Sequence, residues 1–330
     1  MRALIITALA AVAIGLFMVS SEHPDSVALN DFSRFVQDFG ASYDSDDEYM
    51  FRLEVFKRNM ATIEELSARH PLATFGVNKF ADRTQEEKDA LVNRGNTRRS
   101  QNKQYTNVCK SFDLKDTGKD GNWLSLMGEA RDQGSCGGCW AFSVSGVVEG
   151  QYAISRGLSK VDRRLSPQFL IDCDPKNSGC GGGFESDAFD WLETHDMCFD
   201  DDYSYTAKTG SCKKQCTTGI RPKSCHQVGY HNSKNAAIAI QHGPIDVAID
   251  ADDLFHYQGG ILTGGSNYGL NHAIMGVAVT RNDKAANGDS LDSVTIRNSW
   301  GPSWGESGNF RVALESNALG WNEDANYVTF

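Results

Sequence analysis

Apolar residues in this chain fall into distinct rhythms, and each rhythm predicts an element. Phe32, Phe35, Val36 and Phe39 recur every three to four positions, and Tyr49, Leu53, Phe56, Met60 and Ile63 repeat the pattern over a longer run. That spacing puts each set on one face of a helix. Asp44 or Ser45 stands where a cap for the second helix belongs. A third helical stripe is Trp140, Val144, Val147, Val148 and Tyr152, with Arg156-Gly157 as its stop signal. From Ala236 onward the pattern changes to strands. Pro244 to Ile249 alternates in part, Ala273 to Val279 is a continuous apolar run, and Leu291 to Arg297 is another short strand. Residues 281–290, rich in Asn, Asp and Gly, separate the last two and predict a hairpin. In an antiparallel pair the start of one strand faces the end of the next. His272 is therefore expected beside Asn298.

A different apolar run opens the chain. One early charge at Arg2, an apolar stretch from Ala3 to Val19 and small residues at Ser20 and Ser21 read as a secretory signal peptide over 1–21. A membrane anchor is the alternative; the span is at the short limit for a bilayer and an acidic segment follows it directly. No second run is long enough to cross a membrane, so no membrane partner is expected. Residues 22–105 lack cysteine and look helical up to about residue 95, which a small helical domain would also explain. RGNTRRSQNKQY, residues 94–105, is polar and basic without apolar rhythm, an exposed linker of the kind proteases nick. Cleavage near Thr106 leaves 106–330, a length within the single-domain range.

Charge and cysteine count narrow the class. The 330 residues carry a net charge of −11, with no basic tract beyond Arg98-Arg99, which argues against nucleic-acid binding. Entry into the secretory route favours disulfides. There are nine cysteines, all in the last two-thirds: Cys109, Cys136, Cys139, Cys173, Cys180, Cys198, Cys212, Cys216 and Cys225. An odd count leaves one free thiol. No Asn-x-Ser/Thr acceptor occurs, so N-glycosylation is not expected.

The segment QGSCGGCWAFS, Gln133 to Ser143, places Cys139 at the start of the third helical stripe. Unpaired amides at a helix N-terminus favour a thiolate. Taken alone, Cys136-x-x-Cys139 also fits a zinc half-site, a redox pair or plain buried hydrophobes. No second cysteine pair stands at matching spacing, which counts against zinc; no metal or cofactor is expected.

The polar positions resolve these alternatives through a family. Glu48, Arg52, Phe56, Asn59 and Ile63, followed by Gly76, Asn78, Phe80 and Asp82, resemble the inhibitory propeptide of papain-like cysteine peptidases of the cathepsin L type; Ser67 departs from the first motif. QGSCGGCWAF resembles the active-site segment of the same family, with Gly138 in place of its usual serine. NHAIMGV from Asn271 resembles the histidine segment, and IRNSWGPSWG the asparagine segment. Most of residues 28–330 is covered. The implied fold is α+β, a papain-like pair of subdomains, one helical and one β-barrel-like, preceded by a helical inhibitory propeptide. The implied activity is that of a cysteine endopeptidase made as an inactive proenzyme. Cys139 is its nucleophile and His272 its base, working as a thiolate–imidazolium pair through an acyl-enzyme intermediate, with Asn298 the residue that orients the ring and Gln133 an oxyanion donor beside the Cys139 amide. Trp300 and Trp304 would shield the His–Asn bond.

The same resemblance implies Cys136–Cys180 and Cys173–Cys212. The start TNVC resembles the dust-mite members of the family, which implies Cys109–Cys225 and leaves Cys198 with Cys216. The family's usual late disulfide is replaced by Ser266 and Leu319. Phe184, Glu185, Ala248, Ala273 and Asp324 are expected to line the pocket for the P2 side chain, with Gly182 and Gly183 pairing with the substrate backbone. An acid at Asp324 implies acceptance of Arg or Lys beside apolar residues; the alternative is a carboxylate turned to solvent. Expected partners are polypeptide substrates, the propeptide itself and cystatin-type inhibitors, acting on a monomer in a lysosome, an acidic vacuole or outside the cell. An inactive papain-like binding protein is the competing class, and the intact Cys139, His272, Asn298 and Gln133 count against it. Residues 112–130 depart from the family's usual pattern, with Phe112-Asp113-Leu114-Lys115 as a displaced version of one of its segments.

Overall fold

The computed structural model describes residues 24–92, 108–213, 216, 218–266 and 269–330. The expected signal peptide and the cleavage point near Thr106 lie outside them. The chain divides into a short unit ending at Tyr43 and a large one from Asp44 to Phe330. The first holds the helix Pro24–Phe39, whose Phe32 ring stacks on Phe35 and Tyr43.

The large unit begins with the helix Asp46–Arg69. Ser45 caps it by accepting the Glu48 amide, and Asp46, Asp47 and Glu48 load its positive end with acid. Leu53, Val55, Phe56, Asn59, Ile63 and Leu66 are buried, whereas Tyr49 and Met60 of the predicted stripe are only half-buried. Polar residues on this helix tie down the chain that follows it. Arg52 holds Glu87 through two nitrogens, at 2.6 and 2.9 Å, and donates to the Asp82 carbonyl. The Asn59 amide donates to the carbonyls of Ala81 and Arg83. The paired Arg52 and Thr84 donors hold Glu87 down at about 2 despite its partial burial.

Among the described residues eleven strands follow in chain order: β1 Ala73–Phe75, β2 Lys110–Ser111, β3 Met197–Cys198, β4 Gly219–Ile220, β5 Ser224–Gln227, β6 Ile245–Ile249, β7 Tyr257–Leu262, β8 His272–Lys284, β9 Ser290–Arg297, β10 Asn309–Ala313 and β11 Ala325–Thr329. Nine form one sheet in the order β1-β7-β10-β9-β8-β6-β11-β5-β2, and β3 pairs with β4 apart from it. The inhibitory arm contributes the edge strand β1. β8 is buried on both faces, which is why its sequence is a continuous apolar run. Ala273, Met275 and Val277 join one core cluster with the helices, and Ile274 and Val279 join another within the sheet. β8 runs on to Lys284 through two register shifts, so the connection to β9 is shorter than the predicted 281–290.

The helix Cys139–Ser155 packs against β8. It is buried nearly all round, so the one-sided stripe in its sequence understates its contacts. Gly146 lies against Met275: a Cβ there would sit 2.4 Å from the sulfur. Four disulfides, Cys109–Cys225, Cys136–Cys180, Cys173–Cys212 and Cys198–Cys216, leave Cys139 as the free thiol. Their spans of 18 to 116 residues each restrict the unfolded chain by about 3–5 kcal/mol in the chain-entropy account. Residues 112–130 now have a place. Phe112 packs edge-on to Tyr327, Trp123 donates from its indole to the Ile240 carbonyl, and Leu124–Met127 forms a short helix. Leu319 lies against Gly265, beside buried Ser266.

Candidate active site

Helix and sheet meet at Cys139. The helix starts at this residue, with Gly138 as its N-cap, and the thiol takes hydrogen bonds from the amides of Trp140 and Ala273. His272 is the first residue of β8, immediately before Ala273. Its Nε2 lies 2.8 Å from Asn298 Oδ1, just past the end of β9, so the hairpin brings the two together. An amide oxygen only accepts, so Nε2 carries the proton and Nδ1 is left as a bare acceptor. That Nδ1 is buried and has no partner within the protein. Trp300 stacks on the imidazole at 4.9 Å; Trp304 stands behind Trp300, edge-on at 5.1 Å.

Gln133 is fully buried beside them. Ser299 Oγ donates to its Oε1 at 2.6 Å, which fixes the amide so that Nε2 points the other way. Nε2 donates to the Cys136 carbonyl and, at 2.8 Å, to the carbonyl of Leu91 in the inhibitory arm. A peptide carbonyl from before residue 93 thus occupies the Gln133 side-chain donor.

The covered site differs electrically from the thiolate–imidazolium pair that the sequence suggests. Burial pushes the Cys139 thiol up to about 12, its two amide donors only partly offsetting this. Burial likewise lowers His272 to about 4 against the opposing Asn298 bond. With water excluded and no hydrogen bond from the thiol to the ring, both groups are neutral. The charged pair belongs to the uncovered enzyme.

The residues expected around P2 come together on the other side. Ala248 and Ala273 are register partners across β6 and β8, and the Ala248 amide donates to the Asp324 carbonyl. Phe184 precedes the helix Glu185–Leu192, and its amide donates to Asn177. Gly183 packs so closely that a Cβ would lie 2.7 Å from Trp140. Gly182 spends its carbonyl inside its own loop, on the Ser178 amide. Glu185 and Asp324 are joined by a residue that the sequence did not single out, Asp246. Burial is the main force raising all three carboxyls, and their mutual repulsion adds to it for Glu185 and Asp246. The Asn326 amide spans Asp246 and Asp324. Ser143 Oγ contacts both Asp246 Oδ1 and the Ile274 carbonyl. Ser143 donates to Asp246, and so does Asn326; both bonds oppose the burial that raises the Asp246 carboxyl.

The arm is fastened across this cleft. Asn78 donates to the Phe255 carbonyl, Gly76 to that of His256, and Lys79 pairs with Asp132. Phe80 lies edge-on to both Phe255 and Trp300. Nothing in the local sequence marks Asp253, which pairs with Arg69 at 3.1 Å, because its partner lies 184 residues away.

Comparison with known proteins defines the class. The model of the papain family cysteine protease matches residues 108–329, and that of the cathepsin propeptide inhibitor domain (I29) matches 32–87. The chain belongs to the papain family of cysteine proteases and carries its propeptide inhibitor domain. Among its relatives, a viral cathepsin of Orgyia pseudotsugata multicapsid polyhedrosis virus is 33% identical over 308 residues, covering 89% of each chain. Cysteine protease XCP2 of Arabidopsis thaliana is 31% identical, covering 85% of this chain and 79% of the other. The solved digestive procathepsin L 3 of Tenebrio molitor larval midgut superposes with a TM-score of 0.77 at 30% identity, over 92% of this chain and 99% of the other.

Proposed function

We propose that Cys139, His272, Asn298 and Gln133 carry out peptide-bond hydrolysis once the arm has left. His272 Nδ1 takes the thiol proton, and Sγ attacks the scissile carbonyl carbon. The oxyanion is met by Gln133 Nε2 and the Cys139 amide. As the C–N bond breaks, His272 gives its proton to the leaving amine. Water, deprotonated by the same ring, then releases the acyl group and restores the thiol. Asn298 holds the ring in the tautomer this needs. The observation that carries the reading is the buried His272 Nε2–Asn298 Oδ1 bond at 2.8 Å, which leaves Nδ1 as the free acceptor.

In this reading 22–105 is the propeptide, 106–330 the mature monomeric endopeptidase, and processing falls near Thr106. The protein enters the secretory pathway and works in an acidic vacuole, a lysosome or outside the cell, where cystatin-type inhibitors would meet it. Among the described residues no helix is long and apolar enough to cross a membrane. Gly182 and Gly183 flank the substrate backbone, and Phe184, Glu185, Ala248, Ala273 and Asp324 contact P2. A basic P2 residue is accepted beside apolar ones. Burying a cation there favours loss of a proton from the acid cluster, so this acceptance grows with pH. The test is acid incubation of the proenzyme, N-terminal sequencing of the product and a P2 profile at two pH values. Appearance of peptidase activity with a new terminus near Thr106 is expected; a processed protein without activity would overturn the reading.

A further inference from the structure

Two buried ionisable groups lie where the arm meets the protease domain, outside the site just described. Lys88, in the short helix Gln85–Asp89, is 4% exposed, and His256, between Phe255 and β7, is 1% exposed. Lys88 Nζ is 3.0 Å from His256 Nε2 and 2.7 Å from Asn59 Oδ1, and it lies over the Phe255 ring. An ammonium only donates, so Nε2 must be the acceptor and His256 must be neutral. Its proton is then on Nδ1, which is buried without a partner.

We propose that Lys88 and His256 form an acid-opened latch: neutral His256 accepts the Lys88 ammonium and holds the arm, and a proton on His256 forces two cations together and releases it. The inference rests on residues 44–92 being the inhibitor of this protease. Among the described residues, Lys88 is the charged group that acts on His256. The helix Asp46–Arg69 presents neutral Asn59, and Asp89 acts on Lys88. Asp253, three residues before His256, is engaged by Arg69, by His70 at 3.5 Å and by the Ser266 amide.

The sign follows from the two states. Closed, burial and the Lys88 charge hold His256 down at about 3; open, the ring returns toward its ordinary 6.5. The open form takes up the proton first, so acid favours opening, by up to about tenfold per pH unit in that window. Lys88, lowered to about 8 by burial, is protonated in both states at acid pH and adds no slope there. His70 faces Asp253, at 3.5 Å, and not Lys88.

The test uses the full-length Cys139→Ala proenzyme, which cannot process itself. Amide exchange over residues 76–92, normalised to an unfolded peptide at each pH, reports opening without any peptidase activity. Failure of Cys139 as nucleophile would therefore leave this test intact. Opening should rise steeply from pH 6 to pH 4. His256→Gln keeps an acceptor for Lys88 but cannot titrate, and should reduce opening at pH 4.5 by roughly 10–50-fold while leaving pH 7 unchanged. His70→Gln should not flatten the profile. An unchanged slope in His256→Gln, or flattening by His70→Gln instead, overturns the latch. Should His256→Gln misfold, ring NMR of His256 in the Cys139→Ala protein decides: no protonation above about pH 4 while closed supports the latch, and titration near 6.5 in the closed form refutes it.

Discussion

Two buried polar clusters flank Cys139, and they are built from opposite chemistry. On one side stand Gln133, Ser299, His272 and Asn298, neutral groups whose bonds fix each other's orientation. On the other stand Glu185, Asp246 and Asp324, three acids whose carboxyls burial raises above their ordinary range. The first cluster is aimed before substrate arrives, and its orientation does not depend on any group in it being charged. The second responds to whatever charge enters. Both are positioned by the same framework, the Cys139–Ser155 helix packed on β8, with Ser143 one helical turn beyond Cys139. One framework thus holds a set of neutral, mutually oriented groups on one side of Cys139 and a set of buried acids on the other.

Substitutions separate the two sides. The largest effect is expected from His272→Ala, which should lower kcat/KM by about 10⁴-fold or more with Arg and Leu P2 substrates alike. An activity above one per cent would show that the neutral cluster is not the reaction centre. Gln133→Ala should cost about 10²–10³ in kcat with little change in KM, since its amide acts on the oxyanion. An effect confined to KM would make it a binding residue only. On the acid side, Asp324→Asn should leave Leu P2 substrates nearly unchanged and reduce the Arg-to-Leu preference about tenfold at pH 7, or about 1.4 kcal/mol, and less at pH 4.5. The raised carboxyls are ionised more readily at the higher pH, which sets that direction. A P2 ratio indifferent to the substitution would detach Asp324 from specificity.

The smallest effect concerns stability. Burial raises the Asp246 carboxyl well above the ordinary carboxylate range, so keeping it ionised in the folded protein costs stability that protonation relieves. This cost is absent below the ordinary carboxylate range and grows as pH rises toward the folded value. Asp246→Asn can still accept from Ser143. It should raise stability by about 1–2 kcal/mol at pH 7, where each tenfold change in proton affinity on folding is worth about 1.4 kcal/mol, and change little near pH 4. Thermal melts at both pH values read this out, and destabilisation at pH 7 would mean the acid is held ionised.

What the sequence reveals divides along the same line. His272 and Asn298 could be found because strand ends in a hairpin face each other, a relation carried by local rhythm. Cys139 could be found because a helix start is visible in the apolar stripe that follows it. The half-burial of Tyr49 and Met60 escaped that kind of reading, because which side of a stripe is covered depends on its partner. Asp246 looked like one alternating position in a strand; its chemistry comes from Ser143, 103 residues away. His256 and Lys88 are 168 residues apart and gave no local signal. Residues 112–130 have little rhythm because they pack piecemeal on Tyr327 and Ile240.

Cys139 as the single reactive thiol, covered in the proenzyme, is open to one direct measurement. A thiol-directed epoxide is applied to the proenzyme at pH 7 and to the acid-processed protein. No label is expected before processing and, after it, one equivalent at Cys139 with complete loss of peptidase activity. Labelling of the intact proenzyme at the processed rate, or label on Cys139 with activity retained, would contradict that expectation.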